Sequence, residues 1–545
     1  MAFFELVVAL LLGGAVLAGL SRRIGTPYPA LVALAGAALA LIPGTPSIVL
    51  DPELALTLFV APVLLDAAFD ASPRDLRANW RAVSGLAVGA VALTVVVVAV
   101  VVRALVPAMP WPAAVALGAI VAPPDAAAAT AVLKQLRPPH RLMVILEGES
   151  LFNDASALLV YRLAVGTTLV GTLSPASVVP TLLFVTVGSV VLALVLARLL
   201  LWVSARIDEP PIAVVVQFCA TFAVWIIAER LHLSGILTVV VFAMATARRA
   251  SDIIPARVRV PSFAVWDLAV FVLNVLAFTL VGLQLKEILG RVDASTLLEY
   301  VGVAATVCVA TILARIAWVS AAAAVNRWRR RPSHHGTHGH HTLALSKGAA
   351  AVVGWCGMRG IVTLAAALAL PTGGDEGPAF PYRDLILFCA FFVVLATLVV
   401  QGMTLRPLMK AVRLEDDGSV EREAQLARVE ALRAAVSAID AQPGAELSVL
   451  LRSRYEVLLR RAQAQIDSED AGGKRATTES AARSVDADAA VARAAVSAAR
   501  HRLLALRADG TIGDAAFQKV ESELDVEELD LELAQGAEPR TGGER

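Results

Sequence analysis

Over residues 1–410 the chain alternates between long apolar segments and short polar connections. Runs such as 82–102 and 177–203 exceed the about 20 residues that an α-helix needs to cross a bilayer. We therefore predict an all-α, polytopic protein embedded in a lipid bilayer, with about thirteen transmembrane helices. The predicted spans lie near residues 3–20, 28–43, 54–70, 82–104, 112–133, 142–168, 177–204, 211–229, 233–248, 262–285, 296–324, 344–370 and 384–406.

The basic residues test this count, because cytoplasmic loops are enriched in Lys and Arg. Taking alternate loops, one set holds seventeen basic residues and the other only four. This segregation favours an odd number of spans, with the N-terminus outside the cell and the C-terminus in the cytoplasm. We expect the protein in the cell membrane, which is the inner membrane where there are two. Glu5 stands where a signal peptide would carry basic residues, so we interpret the first segment as a span.

Residues 412–545 differ in composition, being charged and mostly helical in pattern. Leu426, Val429, Leu432, Val436 and Ile439 recur at spacings of three and four, which predicts an amphipathic helix. We divide the chain into a transmembrane exchange domain, 1–411, and a cytoplasmic helical tail, 412–545. The tail is either a solvated appendage or a regulatory or dimer-stabilising domain.

The whole chain is 57% hydrophobic and 17% charged, with a mean hydropathy of +0.71. It contains no nucleotide-binding loop, no nucleophile motif and no basic patch beyond the loops that follow the membrane face. The sequence therefore predicts neither an enzyme nor a nucleic-acid partner, and it indicates no cofactor.

Four polar residues interrupt the apolar sixth span: Glu149, Ser150, Asn153 and Asp154. A charge at mid-bilayer costs about 2.5–3.5 kcal/mol, so such residues usually face a cavity and mark an ion or proton pathway. Ser150 and Asp154 share one helix face, and Glu149 and Asn153 share the neighbouring one. The alternative is a buried polar network that only fixes helix packing.

Oxygen ligands suit small hard cations such as Na⁺. A carboxylate that binds either a cation or a proton is a simple exchange device, because occupancy by one opposes occupancy by the other. Asp154 and Ser150 are therefore the predicted centre of a monovalent cation site.

The fifth span contains Pro123, Pro124 and Asp125 near its middle. Proline in a helix interior removes a backbone hydrogen bond and clashes with the preceding turn. Two in succession predict an unwound segment, which at membrane depth is tolerated where it lines a cavity and can bind ions. The alternative is a simple proline kink.

The twelfth span carries three glycines around Arg359, and it lies seven spans beyond the fifth. The two interrupted spans therefore cross in opposite senses, which is typical of inverted-repeat transporters with a site at the crossing. A buried guanidinium needs a partner, so we predict an ion pair between Arg359 and Glu149.

Other polar groups give weaker signals. Asp66 lies in the third span and is either part of the site or a helix-end acid that reaches the interface. A polar core could also include Trp266, Asp267, Asn274 and Arg315. The loop 331–341 holds five of the eight histidines. Histidine titrates near neutral pH, so the alternatives for this loop are a pH sensor, a metal site or a solvated loop without a function of its own.

Four motifs resemble the cation/proton antiporter family, which includes bacterial and archaeal sodium/proton antiporters and the animal sodium/proton exchangers. They are GESLFNDA at 148–155, PPDA at 123–126, GMRG at 357–360 and LVGLQL at 280–285. The resemblance covers about residues 1–410. It implies a homodimer in which each subunit has a dimerisation domain and a moving core.

The resemblance also implies roles for individual residues. Asp154 matches the essential ion-binding aspartate, and Ser150 matches a hydroxyl ligand. Asn153 matches the asparagine of electroneutral members, whereas electrogenic relatives have a second aspartate. Asp125 matches an aspartate at the break. The remaining matches are Asp66, an acidic position of the third helix, and Glu149 with Arg359, the core ion pair.

One position departs from the family pattern. Many members have threonine before the aspartate of the break, whereas this chain has Pro124, which offers a carbonyl but no hydroxyl. The number of ligands, and hence the preferred cation, stays open.

The resulting hypothesis is electroneutral exchange of Na⁺, or of another monovalent cation, for H⁺ by alternating access. The alternatives are a K⁺/H⁺ antiporter of the same fold, a non-transporting membrane ion sensor that signals through the tail, and an ion channel.

Overall fold

The computed structural model describes residues 2–43, 52–133, 136, 138–170, 175–291, 295–329, 346–372, 379–414, 418–440, 452–460, 462–463 and 526. Within these residues every element of secondary structure is a helix and none is a strand, which confirms the predicted all-α class. The chain separates into two compact units, 1–417 and 418–545. The functional division that we place at residue 411 stays a prediction.

The helices in chain order are α1 (Ala2–Ile24), α2 (Tyr28–Ala40), α3 (Pro52–Ala55), α4 (Ala61–Asp70), α5 (Pro73–Ala78), α6 (Trp80–Ser84), α7 (Val91–Leu105), α8 (Trp111–Val121), α9 (Ala126–Leu133), α10 (His140–Val170), α11 (Pro175–Ser204), α12 (Pro210–Arg230), α13 (Gly235–Ile253), α14 (Ala256–Gly290), α15 (Leu297–Arg329), α16 (Lys347–Trp355), α17 (Ile361–Leu368), α18 (Arg383–Val412) and α19 (Ser419–Asp440). Two π-helical segments, Leu56–Val60 and Gly85–Ala90, join α3 to α4 and α6 to α7.

Seven segments of the described residues are long and apolar enough to cross a membrane. The chain is thus a multi-pass membrane protein. The other predicted spans fall on helices that are shorter, interrupted or more polar, so the count of thirteen stays a prediction. The seven are Val7–Ile24, Trp80–Leu105, Pro180–Ser204, Pro210–Arg230, Val258–Gly290, Leu297–Val325 and Arg383–Val412.

The helices of the first unit pack mainly within two groups. The first group comprises α1–α4 and α11–α14, with α2 against α14 and α13 against both α4 and α11. The second group comprises α5–α10 and α15–α18, with α8 between α7 and α10, and α15 against α7, α16 and α18. The two groups meet where α17 contacts α3 and α14, and where α2 contacts α18.

Two glycines set the spacing inside the first group. A Cβ atom at Gly36 of α2 would overlap the carbonyl oxygen of Thr279, and one at Gly282 of α14 would overlap that of Ala33. Because glycine has no side chain, the two helices approach backbone to backbone. Any larger residue at either position would force the helices apart.

Both predicted interrupted helices are present, which confirms the interpretation of the proline and glycine motifs. The chain is non-helical between α8 and α9 and again between α16 and α17. The two breaks also touch, because the backbone N–H of Asp125 donates to the carbonyl of Met358 at 2.7 Å. The crossing predicted from the sequence is therefore a direct contact between the two unwound segments.

The second unit contains α19, which confirms a helix over the predicted amphipathic stretch. Residues 452–460 are helical as well. The rest of the predicted helical tail, apart from residues 462–463 and 526, lies outside the described residues, as does the histidine-rich loop 331–341.

Candidate functional site

A cavity of about 280 Å³ lies against both helix breaks and receives side chains from both helix groups. Polar groups and carboxylates converge on it, although most of its wall is apolar. Its polar and break-forming residues are Tyr28, Asp66, Asp70, Pro123, Pro124, Asp125, Thr130, Glu147, Ser150, Asp154, Asn274, Gly360 and Thr363.

One face of α10 supplies Glu147, Ser150 and Asp154 to this cavity. Their spacing of three and four residues places them on the same side of a helix. The Asp154 residue is only 6% exposed, so its carboxylate lies almost wholly within the protein. Residues Asp66 and Asp70 of α4 reach the same cavity, which brings five carboxylates to its wall together with Asp125.

The adjacent face of α10 is buried and holds Glu149 and Asn153. Glu149 accepts two hydrogen bonds from Arg315 of α15, Nη1 to Oε1 and Nη2 to Oε2, the second at 2.8 Å. Arg315 also donates from Nε to the carbonyl of Val353 at 3.2 Å. Bidentate guanidinium–carboxylate pairs are strong and fix both partners in orientation.

The predicted ion pair between Glu149 and Arg359 is therefore wrong, since Glu149 is paired with Arg315. Arg359 donates from Nη1 to the carbonyl of Ala122, at the residue where α8 ends. The break leaves that carbonyl without its helical partner, and the end of a helix dipole attracts positive charge. The unwound helix thus provides Arg359 with an acceptor of its own.

The backbone of Arg359 is held as well, because its N–H donates to Oγ1 of Thr397 on α18 at 3.0 Å. Arg359 is 1% exposed, and its Nε has no hydrogen-bond partner among the described residues. The arginine predicted as half of an ion pair instead bridges the second break to the end of α8.

Asn153 connects α10 to the first break, because its Nδ2 donates to the carbonyl of Pro124 at 3.1 Å. A carbonyl oxygen has two lone pairs, so this bond leaves Pro124 able to bind a cation. The amide oxygen of Asn153 is buried and has no partner among the described residues. The amide therefore holds the unwound segment against α10.

Gly360 ends the second break directly opposite Asp125. A Cβ atom at this glycine would overlap the Asp125 carboxyl group. The absence of a side chain at 360 thus allows the carboxylate of one break to approach the backbone of the other.

The model of one protein family, described as "Sodium/hydrogen exchanger, transmembrane", matches residues 7–411. The chain belongs to the sodium/hydrogen exchanger family. Members of this family are transporters that move a monovalent cation and a proton across a membrane, and they are not enzymes. The match begins within α1 and ends within α18.

Two bacterial relatives illustrate the similarity of this exchanger to known proteins. An uncharacterized Na⁺/H⁺ exchanger of Mycobacterium tuberculosis is 32% identical, with 97% of this chain and 96% of the relative covered. A protein of Bacillus pumilus named "Sodium, potassium, lithium and rubidium/H(+) antiporter" is 28% identical, with coverage of 80% and 66%.

The fold is similar to that of MjNhaP1, a sodium proton antiporter from Methanocaldococcus jannaschii. The TM-score is 0.57 at 18% sequence identity, and the likeness covers 75% of this chain and 98% of the other. The exchanger thus has the architecture of a solved antiporter along most of its membrane unit.

The predicted site residues of the exchanger fall into two sets. Asp66, Pro124, Asp125, Ser150 and Asp154 line the cavity. The other three lie behind it: Asn153 holds the first break, Glu149 pairs with Arg315, and Arg359 bridges the breaks. Ion binding by any of these residues stays a prediction.

The sequence analysis missed several cavity residues of the exchanger. Glu147 could have been found, because it stands seven residues before Asp154 on the same face of a helix. Tyr28 gives no such signal; in the structure its ring packs on that of Phe271, with ring centroids 5.6 Å apart.

Trp266 and Asp267, which we considered for the polar core, lie elsewhere. They line a separate cavity of about 90 Å³ inside the first helix group. There the indole nitrogen of Trp266 donates to Oε1 of Gln217 at 3.0 Å. Asp66 and Asp70 border both cavities, but Asp267 borders only the smaller one.

Proposed function

We propose that this exchanger carries one monovalent cation, with Na⁺ as the main substrate, in exchange for one proton by alternating access. The observation that carries the proposal is the position of Asp154. Its nearly buried carboxylate faces a cavity formed where two interrupted helices meet. A carboxylate in such a place can hold a cation or a proton, and binding of one opposes binding of the other.

The ligand shell that we propose consists of oxygen atoms. Asp154 and Ser150 supply a carboxylate and a hydroxyl from one face of α10, and Pro124 supplies its carbonyl. Asp66 and water complete the shell from the side of α4. Hard monovalent cations are bound by oxygen ligands of this kind. Asp125 and Asn153 keep the unwound segments in place around the ion.

Electroneutral exchange follows from the proposal that Asp154 alone changes its proton occupancy at the centre of the site. The residue before it, Asn153, is an amide that donates to Pro124 and carries no charge. With one carboxylate cycling between Na⁺ and H⁺, each turnover moves one positive charge in each direction. No net charge then crosses the membrane.

Alternating access requires two bodies that move relative to each other around the site. The cavity lies between the two helix groups, and its carboxylates come from α4 of the first group and from α10 and the first break of the second. We propose that the second group moves against the first, as rigid bodies do in transporters with discontinuous helices. The protein would function as a homodimer in the inner membrane, with its C-terminus in the cytoplasm.

Potassium is the second candidate substrate. The relative from Bacillus pumilus is named for sodium, potassium, lithium and rubidium, so a broad cation range is compatible with this fold. The number of oxygen ligands and the size of the cavity determine which cation such a site prefers. A K⁺/H⁺ antiporter would use the same residues with a different order of preference.

Asp154→Asn tests the proposal in proteoliposomes with an internal pH dye. We expect wild-type protein to show Na⁺-dependent proton movement and the variant to show none, because an amide cannot alternate between Na⁺ and H⁺. Asp267→Asn is the matched control, since Asp267 does not line the larger cavity. It should leave exchange unchanged.

Two results would overturn this function. Exchange that persists in Asp154→Asn would remove Asp154 from the mechanism. Exchange whose rate depends on a membrane potential set by valinomycin and K⁺ would contradict electroneutrality. A wild-type protein that moves no cation at all would instead favour the non-transporting sensor.

A further inference from the structure

One cavity residue has a hydroxyl that neither the fold nor the proposed shell uses. Thr363 stands in the first turn of α17, directly after the second break, and is 1% exposed. It lines the same cavity as Asp125, Ser150 and Asp154. Its Oγ1 is buried and has no hydrogen-bond partner among the described residues.

The interrupted helix explains why this hydroxyl has no acceptor. In continuous helices of this protein, Thr94 donates to the carbonyl of Ala90 at 2.8 Å and Thr397 to that of Val393 at 2.7 Å, four residues back in each case. Threonine inside a helix commonly makes this bond. The residue four positions before Thr363 lies in the break, so the usual acceptor is not in helical position.

A buried hydroxyl without a partner is unfavourable, because it has lost its hydrogen bonds to water. Native proteins keep few such groups, so an unsatisfied one that lines a cavity indicates a partner inside that cavity, either water or an ion. The groups around Thr363 specify what kind of ligand this is. The carboxylates that share its cavity attract a cation, and a hydroxyl oxygen has lone pairs that can coordinate one.

The first break cannot supply such a hydroxyl. The two residues before Asp125 are both prolines, which offer carbonyl oxygens and no side-chain oxygen. The second break faces the first closely enough for Asp125 to donate to Met358. Thr363 lies five residues beyond Met358, on the helical turn that begins as soon as the break ends.

We propose that Oγ1 of Thr363 is a ligand of the transported cation and helps to determine which cation is preferred. This inference rests on the proposed function, because it adds a ligand to that site. With the cation bound, the hydroxyl coordinates it through a lone pair. Thr363 of α17 and Ser150 of α10 then present their hydroxyl groups to the same cavity.

The test measures Na⁺, Li⁺ and K⁺ dependence of exchange for Thr363→Val, which keeps the shape and removes the hydroxyl. We expect the KM for Na⁺ to rise about tenfold, because a bond between a hydroxyl and a charged group is lost. The maximal rate should change little, and the preference for Na⁺ over K⁺ should fall. Thr363→Ser, which retains the hydroxyl, should resemble the wild type.

Thr311→Val is the matched control. Thr311 of α15 is equally buried and its Oγ1 also has no partner among the described residues, but it does not line the cavity. Its substitution should leave both the KM and the cation preference unchanged. A purely structural effect of removing a buried hydroxyl would appear in Thr311→Val as well.

Binding of ²²Na⁺ to purified protein in detergent gives a readout that does not depend on transport. Thr363→Val should bind Na⁺ about tenfold more weakly than the wild type. If this variant does not fold, Thr363→Ala removes the same hydroxyl, and the same weakening is expected of it.

An unchanged KM, an unchanged cation preference and unchanged binding in Thr363→Val or Thr363→Ala would overturn the inference. That failure is distinct from failure of the proposed function. If the wild type exchanges Na⁺ for H⁺ and Asp154→Asn does not, the function stands and only the role of Thr363 is wrong. If the wild type shows no exchange, the function itself fails.

Discussion

Arg315 donates a hydrogen bond from each of its two terminal nitrogens to the carboxylate of Glu149, although the two residues are 166 positions apart in the chain. Each side chain is only 2% exposed, so the pair lies in the interior of the second helix group. It connects α10, which carries the cation-facing residues, to α15. The stability of that group should therefore depend on this pair.

Arg315→Met should lower the stability of the protein strongly. It leaves the Glu149 charge buried without its partner, and breaking a buried pair in this way costs about 3–5 kcal/mol. Thermal unfolding in detergent, followed by intrinsic fluorescence, measures the effect. Arg433→Met is the control, because the Arg433–Glu430 pair is exposed and contributes at most about 1 kcal/mol.

A double-mutant cycle checks the identity of the partner. Glu149→Gln should show a larger coupling energy with Arg315→Met than with Arg359→Met. Equal coupling to both arginines, or a transition temperature for Arg315→Met as high as that of Arg433→Met, would contradict the pairing.

Gly360→Ala should abolish exchange, because its Cβ atom would overlap the carboxyl group of Asp125 and force the two breaks apart. Gly354→Ala offers a close comparison six residues earlier. A Cβ atom there would lie 3.6 Å from the nearest atom, Cα of Ile316, which is an ordinary contact. Initial rates of Na⁺-driven proton movement in proteoliposomes distinguish the two variants, and equal rates would show that the fit at 360 is unimportant.

Asn153→Ala should weaken both the first break and cation binding. It removes the donor to the Pro124 carbonyl, and a buried carbonyl left without its partner costs about 1–3 kcal/mol. We expect a lower transition temperature together with a raised KM for Na⁺. Asn79→Ala is the control. It removes an amide oxygen that accepts a hydrogen bond from Arg141 outside the cavity, so the KM of this variant for Na⁺ should stay at the wild-type value.

Glu229→Gln should shift the balance between conformations. Arg162 of α10 donates to both oxygens of Glu229 on α12, at 3.1 and 2.9 Å, so this pair joins the two helix groups. Because both partners are substantially exposed, the pair contributes up to about 1 kcal/mol, which is roughly a fivefold shift in a two-state balance. Weakening it disfavours the described conformation.

Everted vesicles measure the KM for Na⁺ on the cytoplasmic side in this variant. We expect up to about a fivefold change relative to the wild type, and high concentrations of choline chloride should mimic the substitution, because salt screens exposed pairs. Asp75→Asn is the control, since its pair with His140 lies within the second group. A response of this control equal to that of Glu229→Gln would argue against a link between the groups.

Local chemistry explains what could be predicted from the sequence. Proline and glycine act on the backbone of their own segment, so PPDA and the glycines around Arg359 were sufficient to place both breaks. The faces of α10 follow from helical periodicity alone, which correctly separated Ser150 and Asp154 from Glu149 and Asn153. Apolar runs were sufficient to predict an all-α membrane protein.

Tertiary relationships account for what could not be predicted. Two arginines, Arg315 and Arg359, could each have balanced Glu149, and no spacing in the chain decides between them. The choice depends on where α15 packs and on the carbonyl of Ala122 that the end of α8 makes available. The unused hydroxyl of Thr363 likewise depends on the residue at which α17 begins.

The hydrogen bond from Asp125 to Met358 joins the two breaks through main-chain atoms. A substitution changes a side chain but keeps the amide and the carbonyl, and among the standard amino acids only proline at 125 would delete the donor. Substitutions that accumulate in evolution can therefore replace one side-chain ligand by another and so change the preferred cation. The hydrogen bond between the two breaks is kept, because it uses main-chain atoms only. The same pair of joined breaks can thus support exchangers with different cation preferences.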